Sequence, residues 1–141
     1  DRPLIMRLYD ETAHSVFASL RVINFGSCGW TDEDFVHFAQ VVPLCISCTE
    51  LLLNNNECSD VGATALACSM PGALLSLKSL TLSGNKIGDA GFYAIAAALC
   101  RTETMPQLQL ISLKRNLAGS EAKEAVSSAI AVVAGRTCVF E

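Results

Sequence analysis

Apolar residues along this chain follow two periods in turn. In four segments they occupy alternate positions, as in a strand that buries one face. These segments are 20–28, 48–56, 77–85 and 108–116. The spacing then changes to that of a helix, and in the third unit Ala94, Ile95, Ala98 and Leu99 fall on one helical face. The pattern predicts four successive units, each with a strand, a turn and a helix.

The four strand segments also share a motif, L-x-x-L-x-L-x-x-N/C. Its last positions, at spacings of 28, 29 and 31 residues, are Cys28, Asn56, Asn85 and Asn116. An asparagine side chain both donates and accepts hydrogen bonds, so it can satisfy backbone groups that the turn leaves unpaired. We therefore expect a structural ladder at these four positions, with Cys28 as its weaker member.

Aspartates and glycines follow the ladder positions. Asp32, Asp60 and Asp89 come four residues later, where the pattern predicts helix N-caps. Gly62 and Gly91 come two residues after that and would allow close packing near the helix start. The fourth unit departs from this pattern at both positions.

The third unit, residues 77–99, carries nearly the whole pattern, and four copies in phase are hard to obtain by chance. The chain resembles the leucine-rich repeat family, in particular its ribonuclease-inhibitor-like subtype. The resemblance covers residue 20 to the C-terminus. It implies an α/β solenoid, a right-handed β-α superhelix with parallel strands on the concave side and helices on the convex side.

We expect two regions. Residues 1–19 would form an N-terminal helical segment or cap, with a helix near Leu8–Ala18. Residues 20–141 would form a repeat domain of about four repeats, and Thr137–Phe140 has the phase of a fifth strand. No polar capping unit follows this strand, which predicts either a longer protein or another surface that covers the C-terminal end.

The composition narrows the class of protein. Of 141 residues, 51% are hydrophobic and 17% charged, which excludes an intrinsically disordered chain. The longest uninterrupted apolar run, residues 92–100, is too short for a membrane-spanning helix. The formal net charge of −4 argues against a general nucleic-acid binder, which needs a basic face.

Seven cysteines, an odd number, fit reduced thiols in an intracellular compartment better than a secreted disulfide framework. Cys45 and Cys48 have C-x-x-C spacing, which leaves a metal or redox role open beside packing in the core. A zinc site would need a second such pair, and the sequence contains none. Core packing is therefore the favoured interpretation.

No catalytic constellation emerges from the remaining residues. The run Asp32-Glu33-Asp34 fits a helix start, where negative charge is favourable. His14 and His37 have no partner motif, and phosphate-binding loops and nucleophile elbows do not occur in the sequence. We predict that the chain is not an enzyme and has no catalytic residue, no metal site and no cofactor.

The resemblance implies that protein partners bind the concave face, formed by strand positions outside the motif. The candidates among these positions are Asn24, Glu50, Leu52, Asn54, Ser79, Thr81, Ser83, Leu110, Ser112 and Lys114. None of the ten is Trp, Tyr or Arg, the residue types that dominate tight interfaces.

The sequence thus predicts a non-catalytic protein-interaction module or scaffold subunit of a larger intracellular assembly. Its protein partners would bind the concave face or the uncapped C-terminal end, and neither nucleic acid nor a membrane span is expected. The alternative is a GTPase regulator, as in Ran GTPase-activating proteins, to which Arg21, Arg101 or Arg115 would contribute a cation. Tropomodulin-like or NOD-like-receptor-like sensors and adaptors share the subtype as well.

Overall fold

The computed structural model describes residues 11–12, 14–101 and 103–141. In these residues, five short strands alternate with four helices. The strands are β1 (Val22–Asn24), β2 (Glu50–Leu52), β3 (Ser79–Thr81), β4 (Leu110–Ser112) and β5 (Thr137–Val139). The helices are α1 (Asp32–Val41), α2 (Asp60–Ser69), α3 (Asp89–Leu99) and α4 (Ser120–Ala131), and a short 3-10 helix, Val42–Leu44, follows α1.

Residues 11–12 and 14–19 are helical as well. The helix predicted near Leu8–Ala18 lies partly outside the described residues. Phe17 of this segment is half-buried and packs against the hydrophobic core. The assignment of residues 1–19 as a cap stays a prediction.

All strands are parallel and follow one another in sequence order across a single sheet. The central residue of each strand is aligned with that of its neighbour, so that Ile23, Leu51, Leu80, Ile111 and Cys138 form one row. The first four members of this row are buried, and consecutive helices pack against one another behind it. The predicted α/β repeat solenoid with parallel strands is confirmed.

Asparagine side chains join each repeat to the one before it. Asn85 is buried, and its Oδ1 accepts a hydrogen bond from the Cys58 N–H at 3.1 Å. Its Nδ2 donates to the Leu53 carbonyl at 3.1 Å and to the Leu82 carbonyl at 2.9 Å. One side chain thereby satisfies backbone groups of two repeats that cannot reach a partner within the sheet.

The other ladder positions differ in what they reach. Asn56 and Asn116 make the same kind of contacts as Asn85, each with the preceding repeat and with its own turn. Cys28 is exposed, and its thiol lies 3.6 Å from the Gly26 carbonyl oxygen of its own repeat. The asparagines therefore bridge repeats, whereas this thiol makes a contact within the first one.

The regularly spaced aspartates have a different role from the predicted one. Asp32 is the first residue of α1, and its N-cap is Thr31. The Asp32 carboxylate instead accepts hydrogen bonds at the start of α2, from the Ser59 N–H at 2.7 Å and from the Gly62 N–H at 3.0 Å. The prediction that these aspartates cap their own helices is wrong, because the carboxylates reach across to the next helix.

The glycines make this reach possible. A Cβ atom on Gly62 would lie 2.7 Å from Asp32 Oδ1, and one on Gly91 would lie 2.8 Å from Asp60 Oδ1. Asp60 uses that oxygen to accept from the Gly91 N–H at 2.8 Å. Ala122 occupies the glycine position of the fourth repeat. Among the described residues, Asp89 accepts a hydrogen bond there from the Gly119 N–H alone. The degenerate fourth unit thus has a weaker link to its predecessor.

Arg136 anchors the last strand, a role that the repeat pattern did not predict. The side chain is buried, and its Nη2 donates to the Thr104 and Met105 carbonyls at 2.6 and 2.8 Å. Its Nη1 lies 3.5 Å from the Leu99 carbonyl at the end of α3, where a cation is favourable. These contacts hold the start of β5 against the third repeat.

Replacing Asn85 with alanine is expected to lower the free energy of unfolding by about 2–4 kcal/mol, because several buried backbone groups lose their partners. Asn24→Ala is the matched control: Asn24 is exposed and accepts one hydrogen bond, from the Gly26 N–H. That control is expected to cost less than about 1 kcal/mol. Urea unfolding followed by circular dichroism measures both, and equal costs would refute a stabilising ladder.

Asp32→Asn tests the contact between α1 and α2 and its pH dependence. Burial raises the pKa of Asp32, but hydrogen bonds from the Ser59 hydroxyl and N–H and from the Gly62 N–H outweigh it, so the pKa lies below its ordinary value. A depressed carboxyl pKa stabilises the fold above the unfolded pKa, and this contribution is lost as pH falls through the folded pKa.

At neutral pH we expect Asp32→Asn to cost about 1–2 kcal/mol. The difference from the unsubstituted protein should shrink as pH falls below about 4, because the native carboxyl then becomes protonated too. Asp89→Asn is the control, since Asp89 accepts the Gly119 N–H alone among described donors, and its cost should be smaller. Thermal melts at several pH values give the comparison; a difference that does not change with pH would contradict the charge argument.

Candidate protein-binding surface

The sheet face that points away from the helices, here called the concave face, consists of side chains in register. One row, from the first residue of each strand, is Val22, Glu50, Ser79, Leu110 and Thr137. The second row, from the third residue, is Asn24, Leu52, Thr81, Ser112 and Val139. Because the central strand residues point into the core, these flanking residues point outward.

Hydroxyl and amide side chains occupy five of the ten positions in these two rows, apolar side chains occupy four, and Glu50 occupies the other. Val22 is 52% exposed and Leu110 37%, while Leu52 and Val139 are half-buried. Such a surface offers both hydrogen bonds and apolar contacts. The arrangement suits an extended contact rather than one deep pocket.

Three candidates lie just beyond the strand ends. Ser83 is nearly buried, and its hydroxyl lies 2.6 Å from that of Ser112, so the two hydroxyls satisfy each other. Asn54 is half-buried, whereas Lys114 is exposed. Lys114 and Glu50 are the charged candidates, and they belong to different repeats. Ser83 therefore contributes less to the accessible surface than its position in the motif suggested.

Thr137 and Val139 were not among the sequence candidates, although β5 adds them to the two rows. A signal for them exists in the sequence, since Thr137–Phe140 is in phase with a fifth strand. The contacts of Arg136 explain why this strand is held in place. The concave face is therefore five strands wide in the described chain.

The C-x-x-C pair lies in the core. Cys45 and Cys48 are buried, and their thiols lie 3.6 and 3.2 Å from backbone carbonyl oxygens of Val41 and Glu50. Burial, with a smaller contribution from Cys48, raises the pKa of Cys45 to about 12. A high pKa keeps a thiol protonated and unreactive. Within the described ranges, no group of three or more His, Cys, Asp or Glu could hold a metal ion.

The residues considered for catalysis lie on the surface. His14 and His37 are exposed, as is Glu33, and Asp34 accepts a hydrogen bond from the Thr31 N–H at 2.9 Å at the start of α1. This contact belongs to helix capping. Their exposure and helix-capping contacts fit a structural or solvated role.

Trp30 packs in an aromatic cluster at the first repeat. Its ring stacks on Phe25 with centroids 4.5 Å apart and meets Phe35 and Phe38 at 5.6 and 5.5 Å. Phe35 and Phe38 are buried, while Phe25 and Trp30 are half-buried. Trp30 therefore contributes to the core and keeps part of its ring at the surface.

Comparison with known proteins agrees with this architecture. A family model described as "Leucine Rich repeat" matches residues 73–96, the third repeat. A solved structure, "Leiomodin-1 Actin-Binding Site 2 (ABS2)", superposes with a TM-score of 0.77, covering 92% of this chain and 75% of that chain at 18% identity. No curated protein matches the sequence. The chain thus has a leucine-rich-repeat fold, and at this identity the structural likeness shows the fold alone.

None of the described helices has the length and apolar character needed to cross a membrane. The longest, α4, has 12 residues, whereas a span needs about 20.

Thiol accessibility gives a direct test of the cysteine environments. We expect Cys28, Cys68 and Cys100, which are exposed, to react rapidly with a thiol reagent such as Ellman's reagent in the folded protein. Cys45 and Cys58 should react only on unfolding, because burial raises the pKa of each to about 12. Labelling with and without denaturant, read by peptide mass, measures this. Rapid labelling of Cys45 or Cys48 in the folded protein would support the redox or metal interpretation instead.

Proposed function

We propose that this chain is a non-catalytic protein-binding module whose concave face contacts a protein partner. The observation that supports this is the pair of in-register rows, which presents outward side chains from five strands on one continuous surface. Repeat folds commonly use such extended surfaces for binding. A role as a scaffold subunit in a larger intracellular assembly is part of the same proposal.

The repeat lengths support the ribonuclease-inhibitor-like subtype as a further part of this proposal. Successive ladder positions are 28–31 residues apart, and each unit carries a helix of 10–12 residues behind its strand. A full helix in every repeat needs this length, since shorter repeats leave room for a few residues only.

Actin is a specific candidate partner, because the structural neighbour is titled as an actin-binding site. Co-sedimentation with actin filaments and a binding titration with monomeric actin test this candidate. We expect saturable binding that Thr81→Arg weakens. Binding to neither form would remove actin as the partner, and the concave-face proposal would then depend on cross-linking to another protein.

Regulation of a GTPase is the second candidate, and it comes from the family resemblance. Arg21 and Arg115 are exposed, and Arg101 forms an exposed ion pair with Glu103 at 3.5 Å. An arginine supplied in trans stabilises charge on the transferred phosphoryl group. A GTP-hydrolysis assay with Arg21→Ala, Arg101→Ala and Arg115→Ala distinguishes this candidate from simple binding, and no stimulation by the unsubstituted chain removes it.

Site-specific cross-linking tests the concave-face proposal even when the partner has not been identified. A photo-reactive side chain at Thr81, in the second row, is expected to form a covalent adduct with a single partner protein in an extract of the cells that naturally produce this chain. The matched control carries the same group at Ser128, which is exposed on α4.

We expect the adduct from position 81 only, and we expect Thr81→Arg to reduce capture of the same partner by about tenfold, since a buried charge at an interface costs affinity. Identical adducts from both positions, or capture unchanged by Thr81→Arg and Ser79→Arg, would contradict the proposal.

A further inference from the structure

Beyond their first residues, Asp60 and Asp89, the outer faces of α2 and α3 carry no charged side chain. We call this surface the uncharged helix face; its exposed residues are Val61, Thr64 and Cys68 on α2 and Ala90, Tyr93, Ala97 and Cys100 on or next to α3. Val61 is 62% exposed and Tyr93 46%. Surface helices of globular proteins usually carry polar and charged residues on the side that faces water. This face therefore differs from a typical solvated surface.

The neighbouring helices show the ordinary pattern. The outer face of α1 exposes Glu33, His37 and Gln40, and that of α4 exposes charged and hydroxyl side chains, among them Glu121 and Glu124. Among the outer faces of the four repeat helices, the absence of charge is thus specific to the two central ones, although single apolar side chains such as Ile46 and Leu117 are exposed elsewhere. A contiguous uncharged surface is typical of an interaction site, whereas scattered exposed apolar residues are ordinary.

A shallow groove runs along this face between the two helices. It is lined by Ala67, Cys68 and Pro71 on one side and by Ala94 and Ala97 on the other, with Arg101 at one end. Small side chains let another helix approach closely, and Tyr93, which is exposed one residue before Ala94, is of a residue type enriched in binding hot spots.

Opposite charges mark the two ends of this face. Asp89 is exposed at the start of α3, and Arg101 is exposed just after its end. Asp89 Oδ1 accepts the Gly119 N–H at 2.7 Å, so its carboxylate is held in place at the surface. Arg101 pairs with Glu103 at 3.5 Å, but both side chains are more than half exposed and such a pair contributes little.

We propose that the uncharged helix face binds a second copy of this chain, related by a two-fold axis. In a two-fold contact the same patch meets itself, and with the axis perpendicular to α3 the two helices run in opposite directions. Arg101 of each copy then faces Asp89 of the other, and the apolar residues meet at the centre. A face with opposite charges at its two ends is complementary to itself in this arrangement, which is why the occupant is a second copy.

The concave faces of both copies point away from this contact. A dimer of this kind would offer two partner-binding surfaces, so a partner with two sites would gain avidity. The inference does not depend on the identity of the partner or on the concave face being used.

Reversing the charge at Arg101 or at Asp89 tests this proposal. Sedimentation or light scattering is expected to show a dimer with a dissociation constant below about 100 µM. In a dimer of the Arg101→Glu variant, or of the Asp89→Arg variant, like charges face each other at both ends of the contact. Each substitution should therefore raise the dissociation constant by about tenfold or more. An equal mixture of the two variants restores both attractive pairs and should dimerise again, because each contact then joins opposite charges.

A second pair of variants does not disturb Asp89 and its hydrogen bond. Ala97→Arg places a charge in the centre of the uncharged helix face and is expected to leave a monomer, whereas the control Ser128→Arg on α4 should remain a dimer. Circular dichroism confirms that each variant is folded. A monomeric unsubstituted chain at about 100 µM overturns the proposal. A dimer that none of the Ala97, Arg101 and Asp89 substitutions weakens overturns it too, since the contact then lies elsewhere.

Discussion

Side-chain hydrogen bonds between successive repeats are the interaction on which this structure depends. A single strand–turn–helix unit leaves turn amides and helix N-termini without partners and cannot bury its own apolar face. Asn85 supplies the first set of bonds to the repeat before it, and Asp60 supplies the second to the repeat after it. With links in both directions, the position of each central repeat is determined by its two neighbours.

This linkage sets the register of the sheet and hence the functional surface. Because the repeats stack with their strands aligned, residues 28–31 positions apart in sequence become neighbours on the concave face. The surface is consequently a property of the stack and not of any one repeat. The same stacking brings α2 beside α3, so the uncharged helix face also arises from adjacent repeats.

The apolar side chains of this chain are divided between the core and the surface. Many of them fill the core, where Leu, Ile, Ala and Cys side chains are buried between the sheet and the helices. The remainder is exposed: Val61 and Tyr93 lie on the central helices, Val22 and Leu110 on the concave face, and Ile46 and Leu117 in connecting segments. Composition alone could not separate these two, because a residue's burial depends on which side of its helix faces the sheet and on what packs beside it.

The sequence alone determined the repeat, its strand and helix positions, the α/β class and which residues of the first four strands point outward, because all of these follow from local periodicity. Three features were decided only by the tertiary structure. Asp32 reaches the next helix instead of capping its own, Arg136 holds the last strand, and Ser83 is largely withdrawn from the surface. Each depends on contacts between residues about 30 positions apart, whose geometry exists only after the repeats have stacked.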